Sequence, residues 1–217
     1  MNKIIEEIKK RAKKYFKDGD SSHDWSHVER VYNSAVKIAK KEKADLNVVK
    51  IAAYLHDIGR NDEIKSKGKI CHAKRGSEIA KEMLSEYDID EELSQNIVHC
   101  ILAHRNRNNH QPKTLEAKII FDADKLDSIG AIGIARDFLF AGIYNAPLYT
   151  GREKEILKNA DRYSYTKDDT ALLEYYYKLS KIKSKIKTKT AKKIAEERQR
   201  YMKDFFQRFN KEIKGIL

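Results

Sequence analysis

Six side chains in this sequence are of kinds that bind a cation or activate water, and each stands at the end of an apolar helical stripe: His27, His56, Asp57, His72, His104 and Asp124. His56 and Asp57 close the run IAAYLHDIGR, residues 51–60, in which Ile51 to Leu55 have helix-compatible periodicity. Gly59 is expected to be the left-handed residue that ends that helix. A carboxylate at the wall of a core is costly unless it is paired or bound to a metal, so the doublet asks for a cation. Taken alone, it would equally suit a capped helix whose His and Asp bond to backbone. The supply of further ligands elsewhere in the chain shifts that balance.

His27 shares a stripe with Val31 and Ala35, and His72 opens one continued by Gly76, Ile79 and Met83. Leu93, Ile97, Ile101 and His104 repeat at intervals of four, four and three, so His104 ends its face as His56 ends its own. In LEAKIIFDADKLDSI, Asp124 and Asp127 share a face with Ile120 while Asp122 points elsewhere. Helix ends that meet at one end of a bundle would bring these groups together. Imidazole and carboxylate without thiolate suit Mn, Mg, Fe, Ni or Zn better than a structural zinc site. Two His and two Asp make one open site. If His72 and His104 join them, there are ligands for two metals bridged by Asp57, the arrangement suited to in-line displacement at phosphorus. The competing reading of any one such His is a satisfied core residue. His99 and His110 fall off the stripes and read as surface groups.

The elements that must position these ligands are helices. Of 217 residues, 41% are hydrophobic and 36% charged, with only 9 Gly and 2 Pro, a balance that fits amphipathic helices better than a turn-rich β protein. An all-α fold is expected: one domain over residues 1–217, its core at about 20–140 and its C-terminal helices at about 168–215 packed on it. Residues 2–16 read as an opening helix, 17–22 as a loop, and Asp45 and Thr114 as helix caps. Trp25 is a packing anchor with its indole N–H near the surface. Residues 61–70 read as an exposed loop and 144–165 as an irregular connection beside the site. Ile129 to Phe140 suggests a tightly packed core helix. Two final helices are expected over 168–182, with Leu172, Tyr176 and Leu179 inward, and over 190–209.

Apolar runs are far below the roughly 18 residues of a spanning helix, and the N-terminus MNKIIEEIKKRAKKYF is not signal-like, so a soluble cytoplasmic protein is expected. Cys71 and Cys100 have no CxxC spacing and read as reduced thiols. The net charge of +12 suits nucleic acid, an acidic membrane surface or a polyanionic small substrate. KIKSKIKTKTAKK, residues 181–193, carries much of it without aromatics, which points to a solvated face rather than a nucleic-acid footprint.

The order His27, His56-Asp57, Asp124 resembles the H…HD…D signature of HD-domain metal-dependent phosphohydrolases. The strings HDWSHVERV, AAYLHDIGR, CHAKRGSEIA, FDADKLDSIGAIGIAR, YYYKL and TAKKIAEERQRYMKDFF are similar to its single-domain bacterial and archaeal branch across nearly the whole chain. That resemblance implies an HD-type helical bundle with the metal site at converging helix ends. It makes His27, His56, Asp57 and Asp124 the metal ligands, with Asp127 as the fallback for Asp124. His72 and His104 would be ligands of a second metal, or would bind substrate phosphate. Relatives hydrolyse phosphate esters or anhydrides, commonly of nucleotides. Some use a Glu three positions after the HD aspartate. Here that position is Arg60, so the acid/base role is vacant or passes to Asp62, Glu63 or a His, with Asp57 as the catalytic bridge. Arg30, Arg60, Lys74, Arg75 and Lys125 are the candidate phosphate binders. The alternatives are a nucleotide-binding regulatory HD module without turnover and a basic nucleic-acid-binding helical protein. A phosphorylated small molecule is the expected partner, and a homo-oligomer stands open alongside a monomer.

Overall fold

The computed structural model describes residues 1–16, 24–66, 68–106 and 110–217. The expected loop at 17–22 lies outside them. The described residues are helical throughout, with no strand among them. No helix among them is long and apolar enough to cross a membrane. The chain divides into two compact units, Met1–Asp124 with Lys187–Ala191, and Lys125–Ile186 with Lys192–Leu217.

The first unit is organised around α3, Leu46–Leu55, which packs against α1 (Asn2–Lys14), α2 (Trp25–Glu42) and α6 (Glu91–Ala103). Val48, Val49 and the run Ile51 to Leu55 are all buried, because α3 is covered on several sides rather than along one stripe. Asp45 starts it by accepting from the backbone N–H groups of Asn47 and Val48 at 2.7 and 3.2 Å. α2 lies on it through aromatic rings. Tyr54 stacks on Tyr32 at 4.5 Å and on Trp25 at 5.9 Å, and the Trp25 indole N–H donates to Glu29 at 2.9 Å. α5, His72–Leu84, packs on α6 and on the short α4, Arg60–Lys65.

α4 occupies part of the span expected as loop. Its first turn is held by side chains that face inward: Arg60 pairs with Asp57 at 3.0 Å and with Glu63 at 2.9 Å. Gly59 also differs from expectation. Its φ is −89°, an ordinary value, so left-handed freedom is not why it is glycine. A Cβ there would stand 2.5 Å from the His72 carbonyl oxygen and 2.7 Å from the Gly76 nitrogen. Glycine lets the turn after the His-Asp pair lie directly on the start of α5.

α7, Leu115–Asp127, begins behind Thr114, whose hydroxyl accepts from the Ala117 N–H at 3.1 Å. Asp122 does point away from the other carboxylates: it accepts from the Lys187 and Thr188 N–H groups at 2.8 and 2.7 Å, and from the Thr188 hydroxyl at 2.7 Å.

The second unit contains α8 (Gly130–Ile143), α9 (Glu153–Ile156), α10 (Ala171–Tyr177) and most of α11 (Lys189–Ile213), with 3-10 turns at Leu157–Tyr163 and Leu179–Lys185. The second of the expected C-terminal helices is α11, and the first is broken. Lys178, at φ −130° and ψ −51°, separates α10 from the 3-10 turn, and Tyr175 rather than Tyr176 is buried, with Leu172 and Leu179. α8 is less enclosed than its composition suggests: Gly133, Ile134 and Ala141 are buried, while Ile132, Leu139 and Ile143 are exposed. The 144–165 connection contains α9 and the first 3-10 turn, built around the cluster of Ile156, Ala160 and Leu173.

Candidate metal centre

Four helix ends and the last turn of a fifth helix deliver the candidate ligand side chains of the first unit. His27 sits in the first turn of α2, whose N-cap Asp24 accepts from the His27 backbone N–H at 3.2 Å. His56 closes α3 and Asp57 follows it; His72 opens α5; His104 closes α6; Asp124 comes from α7. These side chains form two groups, each with ligand atoms within 4.8 Å of one another: His27, His56 and Asp124, and Asp57, His72 and His104.

Asp57 stands between the groups. Its Oδ2 is 3.8 Å from Nε2 of both His27 and His56, and its Oδ1 is 3.2 Å from His72 Nε2 and 3.4 Å from His104 Nε2. His27 Nε2 is also 3.6 Å from Asp124 Oδ1. Asp57 is 1% exposed and Asp124 18%, so the centre opens at Asp124.

The far side of the imidazoles shows what they want. His56 Nδ1 lies 2.8 Å from the Ala53 carbonyl oxygen, His104 Nδ1 2.6 Å from the Ile101 carbonyl oxygen, and His72 Nδ1 2.6 Å from Glu63 Oε2. Each of these three contacts is to an acceptor, which favours the ring proton on Nδ1 and the lone pair on Nε2, and at His72 the 2.6 Å contact to Glu63 is much shorter than the 3.4 Å from Arg105 Nη1. The Nε2 atoms face one another, at 3.3 Å for His56 and His27 and 3.1 Å for His72 and His104, and they face a carboxylate. Ligand atoms crowded against one another and against carboxylate oxygens in a buried space fit divalent cations, and the nitrogen and oxygen set suits Mn, Mg, Fe, Ni or Zn.

Around this centre lies a charged shell. Arg60 Nη2 reaches both Asp57 oxygens, at 3.2 and 3.0 Å. Glu63 accepts from Arg60 Nη1 at 2.9 Å and from Arg105 Nη1 at 2.7 Å in addition to His72. In the metal-free protein burial pushes the Asp57 carboxyl up, but the charge of Arg60, then those that His56 and His72 carry when protonated and the hydrogen bond of a protonated His104, outweigh it and hold it well below the usual 3.8. For Glu63, burial is again outweighed, by the His72 hydrogen bond and the charges of His72, Arg60 and Arg105, and its pKa falls to about 2. Burial is the main cause that lowers His104 to about 4.

The remaining sequence candidates are dispersed. Asp62 and Arg75 pair with each other at 2.9 Å on the surface, and Arg75 also reaches Glu78. Lys74 is exposed. Arg30 Nη1 donates to the Ser26 hydroxyl at 2.8 Å. Lys125 and Asp127 belong to the second unit, where Asp127 pairs with Arg136 at 2.9 Å and joins neither ligand group. His110 is exposed, whereas His99 is half-buried and accepts from the Lys113 N–H at 3.1 Å. Cys71 and Cys100 are both free thiols. Arg105 is the contributor that sequence reasoning missed. It follows the last turn of α6 and carries no periodicity, so its adjacency to His104 was the only signal.

Comparison with known proteins gives a consistent picture. A family model described as HD domain matches residues 24–129. The Bacillus subtilis protein YpgQ is 34% identical over 218 residues, covering 99% of this chain and 96% of YpgQ. The crystal structure of YpgQ in complex with ADP superposes with a TM-score of 0.75 at 29% identity, covering 99% of this chain and 97% of that one. An HD-superfamily hydrolase from Bacillus thuringiensis superposes with a TM-score of 0.73 at 30% identity, with 98% of each chain covered.

Proposed function

The chain belongs to the HD-domain family, and from that premise we propose that it is a metal-dependent phosphohydrolase that cleaves a phosphoester or phosphoanhydride bond of a nucleotide. The observation that carries this reading is the convergence of Nε2 lone pairs on both oxygens of one buried carboxylate. His27, His56, Asp57 and Asp124 would hold one divalent ion, and Asp57, His72 and His104 a second. Ions held there acidify water and withdraw charge from a phosphoryl group.

The chain's own residues prepare that chemistry. Arg60 fixes the plane of the Asp57 carboxylate through one nitrogen on both oxygens. Glu63 keeps the proton on His72 Nδ1 and so keeps Nε2 turned inward. With its pKa at about 2 and three donors on it, Glu63 is ionised at neutral pH and serves as a positioning group rather than a proton donor. Asp62, tied to Arg75 on the surface, is not placed to move a proton at the centre. Arg60 and Arg105 are the guanidinium groups nearest the ligands and would neutralise substrate phosphate. The ADP bound by YpgQ supports a nucleotide as the substrate class.

Arg60 at the position where relatives carry Glu favours a second reading, a regulatory module that binds a nucleotide without cleaving it. One experiment separates the two. Mn-loaded protein is incubated with nucleoside mono-, di- and triphosphates and cyclic nucleotides, and products are resolved by chromatography beside Asp57→Ala. Turnover by the wild type and not by the variant is expected. Saturable binding with no turnover under Mn, Mg, Fe, Ni or Zn would establish the regulatory reading instead.

A further inference from the structure

In the second unit, α8 turns one apolar face to solvent. Ala131, Ile132, Ala135, Leu139, Gly142 and Ile143 are all exposed, Ile132 at 42% and Leu139 and Ile143 at 45%. At about 100° per residue the six fall within an arc of about 120°. The opposite face holds Gly133, Ile134, Asp137 and Ala141, all buried. An apolar helix face that no described residue covers marks an interaction surface.

Its charge is the first sign of what covers it. The protein has 36% charged residues and a net charge of +12, yet residues 128–151 contain only Arg136 and Asp137. Asp137 is buried, and Arg136 is bound to Asp127 at 2.9 Å. The exposed face of α8 therefore carries no charge. Two copies of so basic a chain repel one another, and a face of this kind is where they can meet without setting lysine against lysine.

Gly142 is the second sign. Glycine inside a helix is less stable than alanine, so it needs a reason. Gly133 has one, because a Cβ there would run into the Ser128 backbone. Gly142 has none among the described residues: its φ is not positive, and a Cβ there would have nothing within 4 Å. An antiparallel copy of α8, related by a two-fold axis beside residue 137, supplies the reason. In that register Ile132 meets the partner's Gly142, Leu139 meets the partner's Ala135 and Ile143 meets the partner's Ala131. Each large side chain falls on a small one, and the symmetry makes every contact twice.

We infer that this face of α8 is the interface of a homodimer, two α8 helices packed antiparallel across a two-fold axis. One helix pair buries less than the standard interface of about 800 Å² per partner, so a dissociation constant on the order of 10 μM is expected.

The test is sedimentation equilibrium of the full chain from about 1 to about 300 μM, a range that brackets that constant. The mass should rise from that of one 25.3 kDa chain toward that of two. Added salt should tighten the dimer, because it screens the repulsion between basic chains and leaves the apolar contact. Leu139→Glu, which sets a carboxylate in that contact, should leave only monomer. Gly142→Leu should weaken the dimer tenfold or more while its monomer melts no lower than the wild type, since leucine is the better helix former and has open space there. It decides the matter by itself should Leu139→Glu fail to fold. A wild type that stays monomeric over the whole range overturns the inference, as does a dimer that survives either variant or comes apart in salt. A Gly142→Leu monomer that melts well below the wild type also counts against it, because the glycine would then serve the fold.

Discussion

Glu63 Oε2 lies 2.6 Å from His72 Nδ1, and the same carboxylate is gripped by Arg60 and Arg105 at 2.9 and 2.7 Å. A ring held this way has one permitted tautomer and one orientation, with Nε2 toward Asp57. Replacing the carboxylate by an amide turns a donor toward one of the arginines and weakens the acceptor for the imidazole. Glu63→Gln is therefore expected to weaken the ion held by Asp57, His72 and His104 by about 10- to 100-fold, the range for groups that orient a metal ligand. The ion held by His27, His56 and Asp124 should be retained. Calorimetric titration of Mn into metal-free protein would show the stoichiometry fall from two toward one. Unchanged stoichiometry and affinity would show that Glu63 does not set the ring.

Because Asp57 turns one oxygen to each group, ligand deletions should not be equivalent. His104→Ala is expected to remove one ion and His27→Ala the other, while Asp57→Ala should remove both. Metal content after dialysis against Mn, measured by mass spectrometry, distinguishes these patterns. A protein that keeps one ion after loss of Asp57 would rule out a bridging role. Turnover should fall below detection in Asp57→Ala, since both ions would then lack the carboxylate that stands between the two groups.

The convergence of the candidate ligands is legible because each begins or ends a run whose period is that of an α-helix, and helix ends are where a side chain can leave the core while its backbone stays in it. Asp124 and Asp127 share a face in sequence, and periodicity alone could not rank them; Asp127 is taken by Arg136, a partner nine residues away in another helix. Gly59 is expected to be the left-handed residue that ends a helix, and its φ of −89° overturns that. The residue type reports that a Cβ is unwelcome, and only the neighbouring chain shows whether a positive φ or a close approach is responsible. The break at Lys178 was illegible because nothing in YYYKLSKIK is a helix breaker by type. The α4 turn depends on Arg60 pairing with Asp57 and Glu63 three residues to either side, and Arg105 on an ion pair with Glu63 from a distant segment, and hydrophobic patterning encodes neither.

His104 makes the metal-free protein sensitive to acid. Its pKa in the folded state is lowered to about 4 from the usual 6.5, first by burial and then by the charge of His72, against the opposing Asp57 hydrogen bond. The unfolded chain thus binds more protons than the folded one between those values. Stability is full above about pH 6.5 and is lost as the pH falls toward 4, by on the order of 3 kcal/mol over the whole window. Glu63 has the opposite kind of shift, a carboxylate depressed to about 2, so its contribution is present above about 4.5 and lost only below that. Glu63 is therefore silent in the interval from 6.5 to 4.5, where the buried His104 opposes acid and the buried Asp137 carboxyl, raised well above 3.8, acts in the other direction. Urea midpoints of metal-free protein should decline across it, and His104→Gln should flatten the decline. A midpoint that does not change with pH in the wild type would contradict the burial argument.

Gly59 couples the two halves of the ligand set through backbone alone. A methyl group there would meet the His72 carbonyl oxygen at 2.5 Å and the Gly76 nitrogen at 2.7 Å, and both are main-chain atoms that cannot swing aside. Gly76 is itself close-packed, its own Cβ position lying 3.3 Å from the Ile58 side chain, so the start of α5 has no slack toward Gly59. Gly59→Ala must push the start of α5 away, and His72 moves with it. The expected cost is about 1–3 kcal/mol of stability, the range for overpacking a close contact. A second consequence separates this from a general loss of stability. The ion that uses His72 should bind more weakly while the ion held by His27, His56 and Asp124 keeps its affinity, because none of those ligands lies on α5. Chemical denaturation together with Mn titration tests both. A destabilised variant that weakens the two ions equally would mean that the strain spreads through the whole unit, and a variant of wild-type stability would mean that the turn relaxes without moving α5.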